Sequence, residues 1–345
     1  MAENPDKILT HTPKVSVLIC SHKKTFLLEA VTSAINQTIP RDYFEIVVIL
    51  DYSDESVEKW LNEKAVRYFI LLSSKWGEAM AYGIERLHGD IVCFLDDDDL
   101  FYPNKLNRII ELFAENSNLI YVHNSAQFIS YNGTLLKNPF KTFSRTFCFQ
   151  SSPQSLKQIR KILLTSTKKH MDFNVSSITV RRESIIPYVN IIRKLPAMID
   201  TILFYLSLNN EGNIMNTTDC LTKYRFHDSV SNSIIINSDS LSKYRSWTVE
   251  IEQSLNVMMM STQIHNIRNF VFAKKVSVSL ITNILTGDLI KDSPLIITFL
   301  RTNLKFRPLY SLFLLFLAGI KFLLPKKLYY PFSFLLFRIF FSLPK

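Results

Sequence analysis

Glycine is scarce in this chain, with seven in 345 residues, which excludes collagen-like and glycine-linker architectures. The four cysteines, Cys20, Cys93, Cys148 and Cys220, form no CxxC pair. That argues against a disulfide framework or a cysteine zinc site and fits buried thiols in a reducing compartment. No segment repeats at a solenoid or propeller period. The opening MAENPDKILTHTPK lacks the apolar core of a signal peptide, so the body is expected to stay in the cytoplasm. Acidic residues are missing altogether from residues 293–345, which carry eight basic ones. Eight of the ten excess positive charges therefore belong to this tail and only two to residues 1–292. So concentrated a charge, in a stretch this apolar, argues against nucleic acid as a partner.

What is present is a regular alternation. Val15–Cys20, Glu45–Leu50, Arg67–Leu72 and Ile91–Leu95 are short apolar runs rich in β-branched residues. Apolar at nearly every position, they suit strands covered on both faces. Amphipathic segments at Phe26–Asn36, Asp54–Lys64 and Glu78–Leu87 separate them. The spacing predicts an α/β, doubly wound, mainly parallel sheet. Ligands bind such sheets beyond the carboxyl ends of the strands, at Ser21 and His22, Asp51, Ser73 to Lys75, and Asp96 to Asp99. Further on, residues 105–114 read as a helix, 119–130 and 174–181 as strands, and 197–208 as a helix. Residues 135–170 read as a long loop with short helices, and 229–242 as a linker.

Four successive carboxylates, Asp96 to Asp99, close the fourth strand. They repel one another, and a hard divalent cation held by Asp96 and Asp98 would relieve that. A solvated acidic loop or helix cap is the alternative for the run taken alone.

The surrounding residues extend the pattern. Gly83–Leu106 reads GIERLHGDIVCFLDDDDLFYPNKL, VSVLICSHKK opens the first strand, and AINQT precedes FEIVVILDYS. YRFH at 224–227 is followed by Ser229 and Ser231. In this order the motifs resemble those of the family-2 glycosyltransferases, over roughly Lys14 to Ser231. The resemblance implies a GT-A fold that binds a nucleotide-diphosphate sugar and transfers the sugar with inversion. It implies Ser21 near the nucleoside, Asp51 on base or ribose, and Asp96 and Asp98 holding Mg²⁺ or Mn²⁺ against the diphosphate. Asp200 would be the general base at the acceptor, and His227 would lie near the diphosphate or the metal. The pattern departs at Leu50, at Met80 and Ala81, where relatives carry Arg-Asn, and at Ile199 before Asp200; Lys75 is the substitute for the missing arginine. A helix cap is the alternative role for Asp51 and Asp200, and a structural histidine for His227.

The domains expected are a GT-A domain over 1–230, a helical extension over 231–292 and a basic, aromatic tail over 293–345. In the tail, residues 308–320 and 328–337 are uncharged, too short for an ordinary spanning helix. Basic flanks, dense aromatics and Pro325 and Pro331 suit a segment lying on an anionic membrane surface. The reading is therefore a transferase at the cytoplasmic face of the cell membrane acting on a glycan or lipid-linked acceptor. Alternatives are a polyprenyl-phosphate sugar synthase and a non-catalytic scaffold of the same fold.

Overall fold

The computed structural model describes residues 14–73, 75–137, 145–226 and 238–261, with a few more between 267 and 279. These fall into two compact units, the first ending at 227 and the second beginning at 228. Of the expected linker at 229–242, residues 229–237 lie outside the described residues, whereas 238–242 belong to a helix and not to a linker. The tail from 293 and His227 also lie outside the described residues.

The first unit starts with β1 (Val15–Ser21), α1 (Lys24–Ile35), β2 (Phe44–Leu50), α2 (Glu55–Glu63), β3 (Arg67–Ile70), α3 (Trp76–Ile84) and β4 (Ile91–Asp96). β1 and β2 are buried at all seven positions, as strands between two helical layers must be. Val17, Ile19, Ile46, Val48, Cys93 and Leu95 lie in one continuous core with Leu27, Val31 and Leu61 of the helices. Then come β5 (Leu100–Phe101), α4 (Lys105–Glu115), β6 (Leu119–Ile129), β7 (Phe147–Ser151), α5 (Leu156–Lys169), β8 (Ile178–Arg181), α6 (Val189–Ile192), α7 (Ile199–Ser207) and β9 (Gly212–Arg225). The second unit contributes α8 (Ser238–Ser261).

The strands form one nine-stranded sheet in the order β3-β2-β1-β4-β8-β6-β9-β5, with β7 also paired to β9. β1, β2, β3 and β4 pair in parallel, and so do β6 and β9. The other pairings, β4–β8, β6–β8, β5–β9 and β7–β9, are antiparallel. The sheet is therefore mixed, which corrects the mainly parallel expectation. The parallel half comes from the βαβ alternation, whereas the second half is joined by loops and short helices that allow reversal.

Residues 135–170 also differ from the reading as a long loop. They hold β7, an edge strand with one alternate face partly covered, and a 14-residue helix, α5. Ser155 caps α5 by accepting from the Gln158 amide, and Ile159, Ile162 and Leu163 are buried. Basic and hydroxyl residues between those apolar positions obscure the helical period.

Among the described residues no helix is long and apolar enough to cross a membrane.

Candidate active site

The strand order places β2 and β4 on opposite sides of β1, so a crevice opens beyond their carboxyl ends. Asp96 is the last residue of β4, and the Asp99 amide donates to its carbonyl at 3.3 Å in a tight turn. The turn sorts the four carboxylates. Asp96, Asp98 and Asp99 converge, each offering an oxygen within 4.8 Å of the others. Asp97 points the other way, and its Oδ2 accepts from the Ser21 hydroxyl (2.8 Å) and the amides of His22 (3.1 Å) and Lys23 (3.2 Å). The expected pair of Asp96 and Asp98 is joined by Asp99, which the sequence analysis places in the acidic run but not among the metal ligands.

Burial and mutual repulsion both bear on these carboxylates. Burial pushes Asp96 and Asp99 well above the ordinary carboxylate range, and the charge of Asp98 is the next cause in both. Asp97 is pushed up to about 6, again by burial and then by Asp98, against its three hydrogen bonds. Asp99 Oδ1 accepts the Arg225 amide at 2.8 Å, while Oδ2 is buried with no hydrogen-bond partner among the described residues; Ser176 and the Arg225 charge oppose the rise without cancelling it. Three hard oxygen donors this close together fit a divalent cation such as Mg²⁺ or Mn²⁺.

A buried scaffold supports the trio. The Asp96 amide donates to Ser176 Oγ at 2.9 Å. Ser176 sits in a short turn, Val175–Ser177, opened by Asn174 at φ 60°, whose side chain accepts from the Ser176 amide. Lys105, fully buried, donates from Nζ to the Ser176 carbonyl (2.5 Å) and to Thr222 Oγ1 (3.0 Å), with the Phe101 ring 3.9 Å away. Burial lowers this lysine to about 8, with Cys93 and Asp99 opposing. It is the lysine of the Pro103–Leu106 stretch PNKL, where no pattern in the sequence marks it as internal.

Asp200 is the second residue of α7, so the helix is capped at Met198 rather than by Asp200. Its Oδ1 accepts from the Thr201 amide (2.7 Å) and its Oδ2 from the Asn174 amide (3.2 Å). It is near enough to Asp96 to be one of the charges raising it.

On the far side of the crevice, the Ser21 hydroxyl is engaged by Asp97, the Lys23 carbonyl and Tyr52. His22 Nδ1 pairs with Asp51 Oδ2, and its ring meets Trp76 edge to face at 3.9 Å. His22 Nε2 is buried with no hydrogen-bond partner among the described residues. Asp54, not Asp51, caps α2 by accepting from the Ser56 and Val57 amides. Lys75 is exposed, its Nζ 3.4 Å from Glu78 Oε1. The strand-end rule singles out His22, and Trp76 directly follows Lys75, but their contact depends on where α3 begins.

Residues 16–186 match the family described as Glycosyl transferase family 2. The chain carries a family-2 glycosyltransferase domain. It is 32% identical over 143 residues to an uncharacterized glycosyltransferase of Rickettsia bellii, which covers 40% of this chain and 20% of the relative. The chain thus spans only a minor part of the length of that relative. Its fold resembles crystal structures of S. aureus TarS. For residues 1–349 of TarS the TM-score is 0.56 at 16% identity, covering 83% of this chain and 79% of the other. For the TarS complex with UDP-GlcNAc the TM-score is 0.50 at 15% identity, covering 77% and 81%. These likenesses establish a GT-A-like α/β fold with a mixed sheet.

Proposed function

We propose that the chain is an inverting, metal-dependent glycosyltransferase that moves a sugar from a nucleotide diphosphate to a hydroxyl of a glycan or lipid-linked acceptor. The convergence of Asp96, Asp98 and Asp99 at the carboxyl end of the sheet carries this reading. A divalent cation held there would neutralise negative charge on a diphosphate as it leaves. Asp51, with His22 and Trp76 beside it, forms a wall suited to a nucleoside, and Ser21 links that wall to the acidic turn through Asp97. Lys75 stands exposed at the entrance to α3, available to a phosphate. His227 follows β9 and is assigned to the diphosphate side on the resemblance alone.

Asp200 is proposed as the base. Two backbone amides fix the orientation of its carboxylate, and its charge reaches Asp96 of the trio. Its oxygen takes the proton of the acceptor hydroxyl as the new bond to the anomeric carbon forms. The bond from that carbon to the phosphate oxygen breaks, and the nucleoside diphosphate leaves with the electron pair. One base opposite one leaving group inverts the centre.

A uridine nucleotide is the first donor to try, since a fold neighbour was crystallised with UDP-GlcNAc. The basic, aromatic residues 293–345 favour an acceptor at the cytoplasmic membrane face. Calorimetric titration with UDP-, GDP- and dTDP-sugars, with and without Mn²⁺, tests the reading. The expected result is metal-dependent binding of one of them, lost on Asp96→Ala/Asp98→Ala. Folded protein that binds none would favour a non-catalytic scaffold.

A further inference from the structure

Arg225, the last residue of β9, is almost fully buried beside the acidic turn, yet its guanidinium pairs with none of the three converging carboxylates. Its amide donates to Asp99 Oδ1 at 2.8 Å and its Nε to the Asp98 carbonyl at 2.7 Å. Nη1 donates to the Tyr131 carbonyl (2.7 Å) and Nη2 to Glu29 Oε2 (2.8 Å). The Phe26 ring lies 4.1 Å from the guanidinium carbon. One side chain therefore ties the backbone of the acidic turn to α1 and to the turn after β6.

We infer that Arg225 is a positioning residue for the cation site. By gripping the Asp98 carbonyl through Nε and the Asp99 carboxylate through its own amide, it fixes the turn in which the Asp96, Asp98 and Asp99 side chains converge. Without that grip, mutual repulsion would spread the carboxylates apart. Arginine suits the task because its fork reaches three acceptors in fixed directions, which a lysine ammonium of equal charge cannot do. Glu29 completes the clamp from α1 and is itself more than half exposed, so it can be altered without opening the core.

The inference rests on the metal reading above, and the test separates the two. Mn²⁺ alone is titrated into the full chain and followed by electron paramagnetic resonance, with folding checked by circular dichroism. Wild type is expected to bind Mn²⁺ and Asp98→Ala to lose it. Arg225→Lys, which keeps the charge but not the fork, should bind about 10- to 100-fold more weakly, as supporting residues of metal sites typically do. Glu29→Gln should weaken Mn²⁺ by a few-fold, with its thermal midpoint nearly unchanged; a merely structural partner would move the midpoint and leave the metal affinity alone. Wild-type Mn²⁺ affinity in folded Arg225→Lys overturns the clamp. Should that variant fail to fold, unaltered affinity in Glu29→Gln overturns it instead. A wild-type chain that takes up no Mn²⁺ overturns the metal reading and the clamp together.

Discussion

At the amino ends of the strands, Glu45 of β2 is buried in a closed set of partners. At the carboxyl ends, Asp99 is buried in an open one. Glu45 Oε1 accepts from the Ser16 hydroxyl (2.6 Å) and the His88 amide (2.5 Å), and Oε2 from Arg67 Nη1 (2.5 Å). Gly89 makes this possible, since a Cβ there would come within 2.7 Å of Ser16. Burial pushes Glu45 up, but Ser16, the His88 amide and Arg67 outweigh it and hold it below the ordinary range. In the acidic turn the balance is reversed, and burial and Asp98 win. A buried carboxylate with its donors satisfied is architecture. One raised by burial and by neighbouring carboxylates is a candidate place for a further partner.

Breaking each half of the contrast should have opposite consequences. Asp98 contributes to the raising of Asp96, Asp97 and Asp99 alike, so its loss reaches furthest. Asp98→Ala should lower kcat/KM for sugar transfer by about 10³-fold, the several kcal/mol expected of a catalytic cation. Steady-state kinetics with the donor found by calorimetry checks this. Glu45→Ala should instead cost about 3 kcal/mol of stability in urea denaturation, because the Ser16 hydroxyl and the amides of His88 and Gly89 lose their buried acceptor and Arg67 loses its carboxylate. Its Mn²⁺ affinity should not change.

The pH dependence sharpens the same contrast. Asp97 titrates at about 6 when folded against 3.8 ordinarily, so between those values the folded chain holds more protons than the unfolded one. Stability of the metal-free chain should therefore fall as pH rises through that window. Asp97 alone should make it about 1 kcal/mol less stable at pH 7 than at pH 5. Denaturant midpoints at the two pH values measure this, and Asp97→Asn should remove that share. The smallest effect is expected at Lys75. Exposed and loosely paired with Glu78, it should weaken UDP binding only a few-fold on Lys75→Ala, with the difference fading at high salt.

The parallel half of the sheet was legible because each of its strands is apolar on both faces and followed by an amphipathic helix. β7 and α5 were not, since an edge strand and a helix with a narrow apolar stripe carry weak periodicity. Within the site, spacing and resemblance pointed to Asp96, Asp98, Asp51 and Asp200, all residues at element ends. Asp99 was hidden because its role depends on a turn that sends Asp97 one way and its three neighbours another. Lys105, Ser176 and Arg225 come from separate elements and meet only through the antiparallel half of the sheet. Their partners are mostly backbone atoms, which leave no pattern in a sequence.

The central claim is that the acidic turn is strained by like charge until a cation completes it. Thermal unfolding of wild type and Asp98→Asn, each with and without saturating Mn²⁺, tests it most directly. The account predicts that Mn²⁺ raises the wild-type midpoint, and that Asp98→Asn unfolds higher than metal-free wild type but does not respond to Mn²⁺. A wild-type midpoint unmoved by Mn²⁺, together with a lower midpoint for Asp98→Asn, would contradict it and make the acidic turn part of the architecture.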